Sequence, residues 1–139
     1  MTRPPLRQGV PVVALGGALG AVARWALSTA HPDAATAFPW TVFGINVVGC
    51  ALLAVLPAVA VVRRSPALAV FLGTGVLGGF TTMSTASEQT AHLLETGHAT
   101  TALAYAAGTL LAAVGAAAVV DRLSTPQERL TLEDEEADE

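Results

Sequence analysis

The sequence predicts an all-α membrane protein with four transmembrane helices, the third of them broken near its middle. Three observations lead to this prediction. Apolar residues make up 53% of the 139 residues and charged residues only 13%, about half of the roughly 25% found in an average soluble domain. Four long stretches of low charge are separated by short polar breaks. The third stretch contains a segment, 73–87, rich in glycine and in hydroxyl side chains.

The four stretches have the length of membrane-crossing helices, because about 20 apolar helical residues span the ~30 Å hydrocarbon core. The first stretch reaches this length when Arg24 is included. We predict helices over 10–30, 38–62, 67–94 and 100–120. They form one transmembrane domain, 10–122, between a cytosolic N-terminal tail, 1–9, and an acidic cytosolic C-terminal tail, 123–139, which we expect to be disordered. A cleaved signal peptide is the alternative for the first stretch, but Arg24 and Trp25 stand where small residues are required.

The arginines orient the four spans. Six of the seven arginines lie outside the spans, and an even number of spans puts all six on one side of the membrane: Arg3, Arg7, Arg63, Arg64, Arg122 and Arg129. The loops on the opposite side contain no arginine, and the chain has no lysine. Because cytoplasmic loops carry the excess of positive residues, we predict a multi-pass plasma-membrane protein with both termini in the cytoplasm.

The sequence gives little support for nucleic-acid binding, zinc binding or catalysis. The chain has no basic patch for nucleic acid, and its single cysteine, Cys50, excludes an intramolecular disulfide or a cysteine-rich zinc site. The three histidines lie at span ends without metal-ligand spacing: His31, His92 and His98. Since no nucleophile–base pair is apparent either, we predict that the protein is not an enzyme.

Two polar residues stand inside apolar helices. Gly16, Gly17 and Gly20 give the first helix a small-residue face for close packing. One turn later Arg24 either snorkels to the surface or lines an anion vestibule, since a charged side chain at membrane depth is costly. Asn46, near the middle of the second helix, either cross-links helices or lines a pore.

The third span carries the most specific pattern. Gly78-Gly79 followed by Thr81-Thr82 disfavours an unbroken helix, and irregular backbone survives at membrane depth only where protein or water surrounds it. Unwound carbonyls there would bind a cation, and the hydroxyls would donate to an anion. The alternative is a continuous helix packed through its glycines. Glu88, just beyond, would cap the segment, pair with an arginine or carry a proton.

These residues resemble a known family, the small fluoride channels of bacteria and yeast (the Fluc or CrcB family). The segment 16–25, GGALGAVARW, is similar to the first-helix signature of that family. Asn46 with Gly49 is similar to the second signature. The segment 78–85, GGFTTMST, with Glu88 beyond it, is similar to the third and most specific one.

The resemblance implies an antiparallel dimer with two pores along the interface. It also implies a structural Na⁺, not transported, held by main-chain carbonyls of both broken third helices, at Gly78 and Thr81. The implied function is passive export of fluoride that relieves its toxicity in the cytoplasm. The positions that the resemblance assigns to the anion pathway are Arg24, Asn46, Thr82, Met83, Ser84 and Tyr105.

The chain departs from the family at two positions. Met83 and Ala86 stand where the family usually has phenylalanines whose ring edges face fluoride. In addition, the six-to-none arginine bias favours one fixed orientation in the membrane. We therefore predict a heterodimer with an oppositely biased paralogue that supplies the missing aromatics.

Two other functions share features with this sequence. A non-conducting accessory subunit of such a channel is compatible with Met83 and Ala86. A small proton-coupled multidrug exporter has the same size and four helices, but it needs a carboxylate midway along helix one, where this chain has only Arg24.

Overall fold

The structure is a computed structural model that describes residues 6–123, with the side chains of residues 9–116, 118 and 119. Residues 1–5 and nearly all of the acidic tail, from 124 onward, lie outside the described residues. Within the described range every regular element is helical. In chain order these are α1 (Leu6–Ala30), α2 (Trp40–Val55), a 3₁₀ turn (Leu56–Ala58), α3 (Ala60–Arg63), α4 (Pro66–Val70), a π-helical segment (Phe71–Leu77), α5 (Gly78–Phe80), α6 (Met83–Glu95) and α7 (Ala99–Leu123).

Four helical stretches are long and apolar enough to cross a membrane. They are Gly9–Ala30, Trp40–Ala58, Pro66–Glu95 and Ala99–Ala116, with 22, 19, 30 and 18 residues. Large apolar side chains such as Leu19, Val22 and Leu111 are exposed along them, as expected of surfaces that face lipid. The prediction of an all-α protein with four membrane-crossing helices is confirmed.

The second span is less regular than the single helix expected over 38–62. α2 ends at Val55 and passes into the 3₁₀ turn, and Val59 is extended with ψ 113° before α3 begins. Pro57 explains this difference. Its nitrogen has no hydrogen to donate to the carbonyl four residues earlier, and its ring crowds that carbonyl.

The loop that joins α1 to α2 is fastened to the first turn of α2. The Thr41 backbone N–H donates to Asp33 Oδ1 at 3.1 Å, and the Thr41 hydroxyl donates to the His31 carbonyl at 2.7 Å. A carboxylate at this position satisfies a backbone donor that the helix start leaves unpaired. The loop thus returns the chain directly from the first span to the second.

α1 packs against the third span by direct backbone contact. A Cβ atom added to Gly16 would lie 2.6 Å from the Phe71 carbonyl oxygen, and one added to Gly20 would lie 2.7 Å from the Phe80 nitrogen. From the opposite side, a Cβ added to Gly79 would lie 2.9 Å from the Gly17 carbonyl carbon. Only glycine fits at such distances. The α1 glycines thus allow close packing, as expected, on the face of α1 that contacts the third span.

The remaining helices form a second layer, in which α7 packs against α2 and α6. Leu93, Ala102 and Tyr105 are almost completely buried there. Phe38 and Phe43 extend this core, with Phe38 in edge-to-face contact with the Tyr105 ring at a centroid distance of 5.4 Å. The two layers meet along the third span, which belongs to both through α5 and α6.

The contact between α1 and the third span predicts that neighbouring glycines differ in their tolerance of a methyl group. Gly16→Ala and Gly20→Ala should each lower the stability of the folded protein by about 1–3 kcal/mol or prevent folding, because the new methyl meets fixed backbone. Gly17→Ala is the matched control, since its Cβ would have no neighbour closer than 3.9 Å. Thermal unfolding of the purified variants in detergent measures the effect. Equal melting temperatures for Gly20→Ala and Gly17→Ala would contradict the backbone contact between α1 and the third span.

Candidate ion site at the break in the third span

The third span is interrupted at two consecutive threonines. α5 ends at Phe80 and α6 begins at Met83. Between them Thr81 has φ −75° and ψ 156°, and Thr82 has φ −148° and ψ 118°, both extended. Glycine has a low helix propensity and β-branched threonine a reduced one, so the Gly78–Thr82 stretch offers little resistance to leaving the helix.

The interruption releases carbonyl oxygens before the break, among them those of Gly78 and Thr81. In a continuous α-helix the Thr82 N–H would donate to the Gly78 oxygen and the Thr85 N–H to the Thr81 oxygen. Here the Thr82 N–H donates to Asn46 Oδ1 at 2.8 Å, and the Thr85 N–H donates to the Thr82 hydroxyl at 3.2 Å. Gly78 and Thr81 therefore lose the helical donors to their carbonyls, and these are the two residues expected to bind a cation.

Asn46 pairs with the backbone of Thr82 through both ends of its amide. Besides accepting from the Thr82 nitrogen, it donates from Nδ2 to the Thr82 carbonyl at 3.0 Å. Both residues are buried. Asn46 thus joins α2 to the start of α6, the arrangement that cross-linking between helices requires.

Arg24 is also tied to the interruption. Its Nε donates to the Gly79 carbonyl at 3.3 Å, and the side chain is half-buried. In a continuous helix that carbonyl would accept from the Met83 nitrogen. The guanidinium therefore lies against the third span and supplies a donor beside the break, rather than only reaching for the membrane surface.

Tyr105 lies on α7, which packs against α6, and it is completely buried. Its hydroxyl donates to Gln89 Oε1 at 2.9 Å. Gln89 lies on α6, about two helical turns beyond Thr82. One turn from Tyr105 on α7, the Thr109 hydroxyl is buried without a hydrogen-bond partner. Sequence reasoning missed Thr109, although a hydroxyl four residues from Tyr105 on an apolar helix was a usable signal.

Met83 and Ser84 lie on the outside of the chain, with Met83 72% exposed. Ala86 points the other way and is only 5% exposed. The two positions where the family usually has phenylalanines therefore differ in surroundings. Glu88 is exposed and lines a pocket of about 280 Å³ together with Asp33 and His92.

The break opens onto a large groove on the outside of the chain. The groove has a volume of about 770 Å³ and apolar walls formed by α2 and the third span. Gly78 and Thr81 line it, together with Gly49, Leu53 and Leu77. The structure thus brings Arg24 and Asn46 to the break, while Gly78 and Thr81 line the groove.

The family model described as "CrcB-like protein, Camphor Resistance (CrcB)" matches residues 11–120. The chain is 50% identical over 109 residues to a protein of Streptomyces coelicolor named Fluoride-specific ion channel FluC 1, covering 77% of this chain and 71% of the relative. It is also 50% identical over 109 residues to the Fluoride-specific ion channel FluC 2 of Streptomyces avermitilis, covering 73% of this chain and 65% of the relative.

A third relative, the Fluoride-specific ion channel FluC 2 of Nocardia farcinica, is 42% identical over 116 residues, covering 80% of this chain and 81% of its own length. The resemblance inferred from the three sequence signatures is therefore confirmed. The chain belongs to the CrcB family, a family of ion channels and not of enzymes.

Proposed function

We propose that the protein is a subunit of a fluoride-selective channel that lets fluoride leave the cytoplasm passively, down its gradient. The observation that carries the proposal is the break at Thr81–Thr82 in a chain whose relatives are named fluoride-specific ion channels. Fluoride enters cells as neutral HF in acid surroundings and dissociates inside. A passive pathway for the anion is then sufficient to relieve its toxicity.

The donor set at the break fits a structural sodium ion. Gly78 and Thr81 would hold it, because their carbonyl oxygens lack helical donors and unwound carbonyls are sodium ligands in other membrane proteins. Two carbonyls from one chain leave room for ligands from a second chain across the groove. When bound, the ion would supply a fixed positive charge that lowers the energy of an anion nearby.

The residues near the break supply what an anion needs in place of water. We assign the pathway to Arg24, Asn46, Thr82, Met83, Ser84 and Tyr105, as the resemblance implies. Arg24 contributes a positive charge at the break, and Ser84 offers an exposed hydroxyl close to it. The unpartnered Thr109 hydroxyl is a further donor on the α7 side. Aromatic ring edges carry partial positive charge, so the absence of phenylalanine at 83 and 86 leaves that contribution to another chain.

We further propose that the partner is a paralogue inserted in the opposite orientation. The arginine bias favours one orientation of this chain, with both termini in the cytoplasm, and it disfavours a second copy inserted upside down. The partner would cover the groove beside Gly78 and Thr81 and bring phenylalanines to the pathway. The working channel would be an antiparallel heterodimer in the plasma membrane.

A non-conducting accessory subunit remains the second candidate, because Met83 and Ala86 remove both expected aromatics from this chain. In that case the partner alone would form the pathway and this chain would only complete the assembly. The drug-exporter hypothesis has no comparable support, since α1 carries Arg24 and no carboxylate.

Reconstitution with and without the partner tests the heterodimer. We expect liposomes that contain this chain alone to release fluoride at least tenfold more slowly than liposomes that also contain an oppositely biased paralogue from the same genome. A fluoride electrode measures the release, and the paralogue alone is the control. If this chain alone releases fluoride as fast as the mixture does, a heterodimer is not required.

Phenylalanine substitutions at positions 83 and 86 distinguish a conducting subunit from an accessory one. Met83→Phe should be tolerated, since the side chain is exposed, and should change the single-channel fluoride conductance of the heterodimer by more than twofold. Ala86→Phe should instead lower stability by about 1–3 kcal/mol or more, because the residue is buried. Single-channel recording and thermal unfolding are the measurements. An unchanged conductance for Met83→Phe would favour the accessory role.

A further inference from the structure

Two residues of α2 contact the two extended threonines of the third span, one threonine each. Asn46 bonds to Thr82 through two hydrogen bonds, 2.8 and 3.0 Å long. One turn later, a Cβ added to Gly49 would collide with the Thr81 side chain and lie 3.4 Å from the Phe80 ring. The absence of a side chain at Gly49 therefore makes the space that Thr81 occupies.

The amide of Asn46 replaces the hydrogen bonding that Thr82 loses on leaving the helix. A buried backbone N–H without a partner is strongly unfavourable, most of all at membrane depth. Asn46 Oδ1 accepts from that N–H, and Nδ2 donates to the Thr82 carbonyl. The two bonds form a closed pairing between a side-chain amide and a main-chain residue, which fixes the orientation of the extended backbone.

Thr82 stabilises the other side of the break by itself. Its hydroxyl accepts from the Thr85 N–H at 3.2 Å, which starts α6 as an N-terminal cap. Because the Thr85 N–H bonds to the Thr82 hydroxyl, it no longer donates to the Thr81 carbonyl. Because the Thr82 N–H bonds to Asn46, it no longer donates to the Gly78 carbonyl. The loss of both donors thus depends on the position of Thr82, and α2 determines that position.

We infer that Asn46 and Gly49 are positioning residues, which together make α2 the template that keeps Thr81 and Thr82 extended. Asn46 acts on the ion site through the backbone of Thr82, and its amide oxygen and one N–H are engaged there. Gly49 acts by leaving space for the Thr81 side chain. The effect on ions rests on the proposed function, but the effect on the backbone does not.

The test is therefore a backbone measurement. The ¹³C chemical shifts of Thr81 and Thr82 report whether each residue is extended or helical, with or without any ion flux. Asn46→Leu preserves the approximate size of the side chain and removes both hydrogen bonds. We expect Asn46→Leu to lose the extended shifts of both threonines. Gly49→Ala, which fills the space used by Thr81, should do the same by a different route.

Thr41→Val is the matched control. Thr41 is another polar residue of α2 that bonds to a distant backbone carbonyl, at His31, but it does not contact the break. It should leave the shifts of Thr81 and Thr82 unchanged. If Asn46→Leu does not yield folded protein, Asn46→Asp retains the acceptor for the Thr82 N–H, removes the donor, and should shift the two signals in the same direction by a smaller amount.

Fluoride release from liposomes that also contain the paralogue gives the second reading. In Asn46→Leu we expect at least a tenfold slower release together with the lost extended shifts, and in Thr41→Val a rate within twofold of the unaltered chain. Slower release with unchanged shifts would overturn the inference and make Asn46 a direct ligand of the ion. Lost shifts in a channel that never conducts fluoride would uphold the inference and reject the proposed function.

Discussion

The close approach of α1 to the third span is the constraint on which the other features of the site depend. At Gly16, Gly20 and Gly79 the two backbones touch without intervening side chains. This contact fixes the depth and rotation of the third span relative to α1. Because residues four apart share one helix face, the face that carries Gly16 and Gly20 continues to Arg24. The same packing that needs glycine therefore delivers a guanidinium to the Gly79 carbonyl.

Side chains from α1 and α2 supply hydrogen bonds to backbone groups at the break. Arg24 satisfies the Gly79 carbonyl from α1, and Asn46 satisfies both backbone groups of Thr82 from α2. A break in a membrane helix is tolerable when neighbouring helices supply such partners. The polar residues of α1 and α2 thus have a structural role that is independent of conduction, and these hydrogen bonds do not reach the carbonyls of Gly78 and Thr81.

Much of this architecture could be predicted from local sequence, but the contacts at the site could not. Four low-charge stretches of sufficient length indicated four spans, and Gly78-Gly79 with Thr81-Thr82 marked a weak helix. The pairing of Asn46 with Thr82 joins residues 36 apart, and that of Arg24 with Gly79 joins residues 55 apart. Such partners follow from how helices pack, which no local pattern encodes. The early end of α2 was missed because hydropathy over 38–62 outweighed the helix-breaking effect of Pro57.

Polar groups of the break lie beside an otherwise apolar groove on the outside of the chain. Gly78 and Thr81 line the groove, and their carbonyls lack helical donors. Ser84, three residues after Thr81, is also exposed. Hydrocarbon offers no donor to a carbonyl and no partner to a hydroxyl, so leaving these groups against lipid is unfavourable. In the proposed assembly, a second chain over the groove and a cation between the carbonyls would remove both penalties together. In that proposed assembly, the association of the two chains and the binding of the ion would be one coupled step.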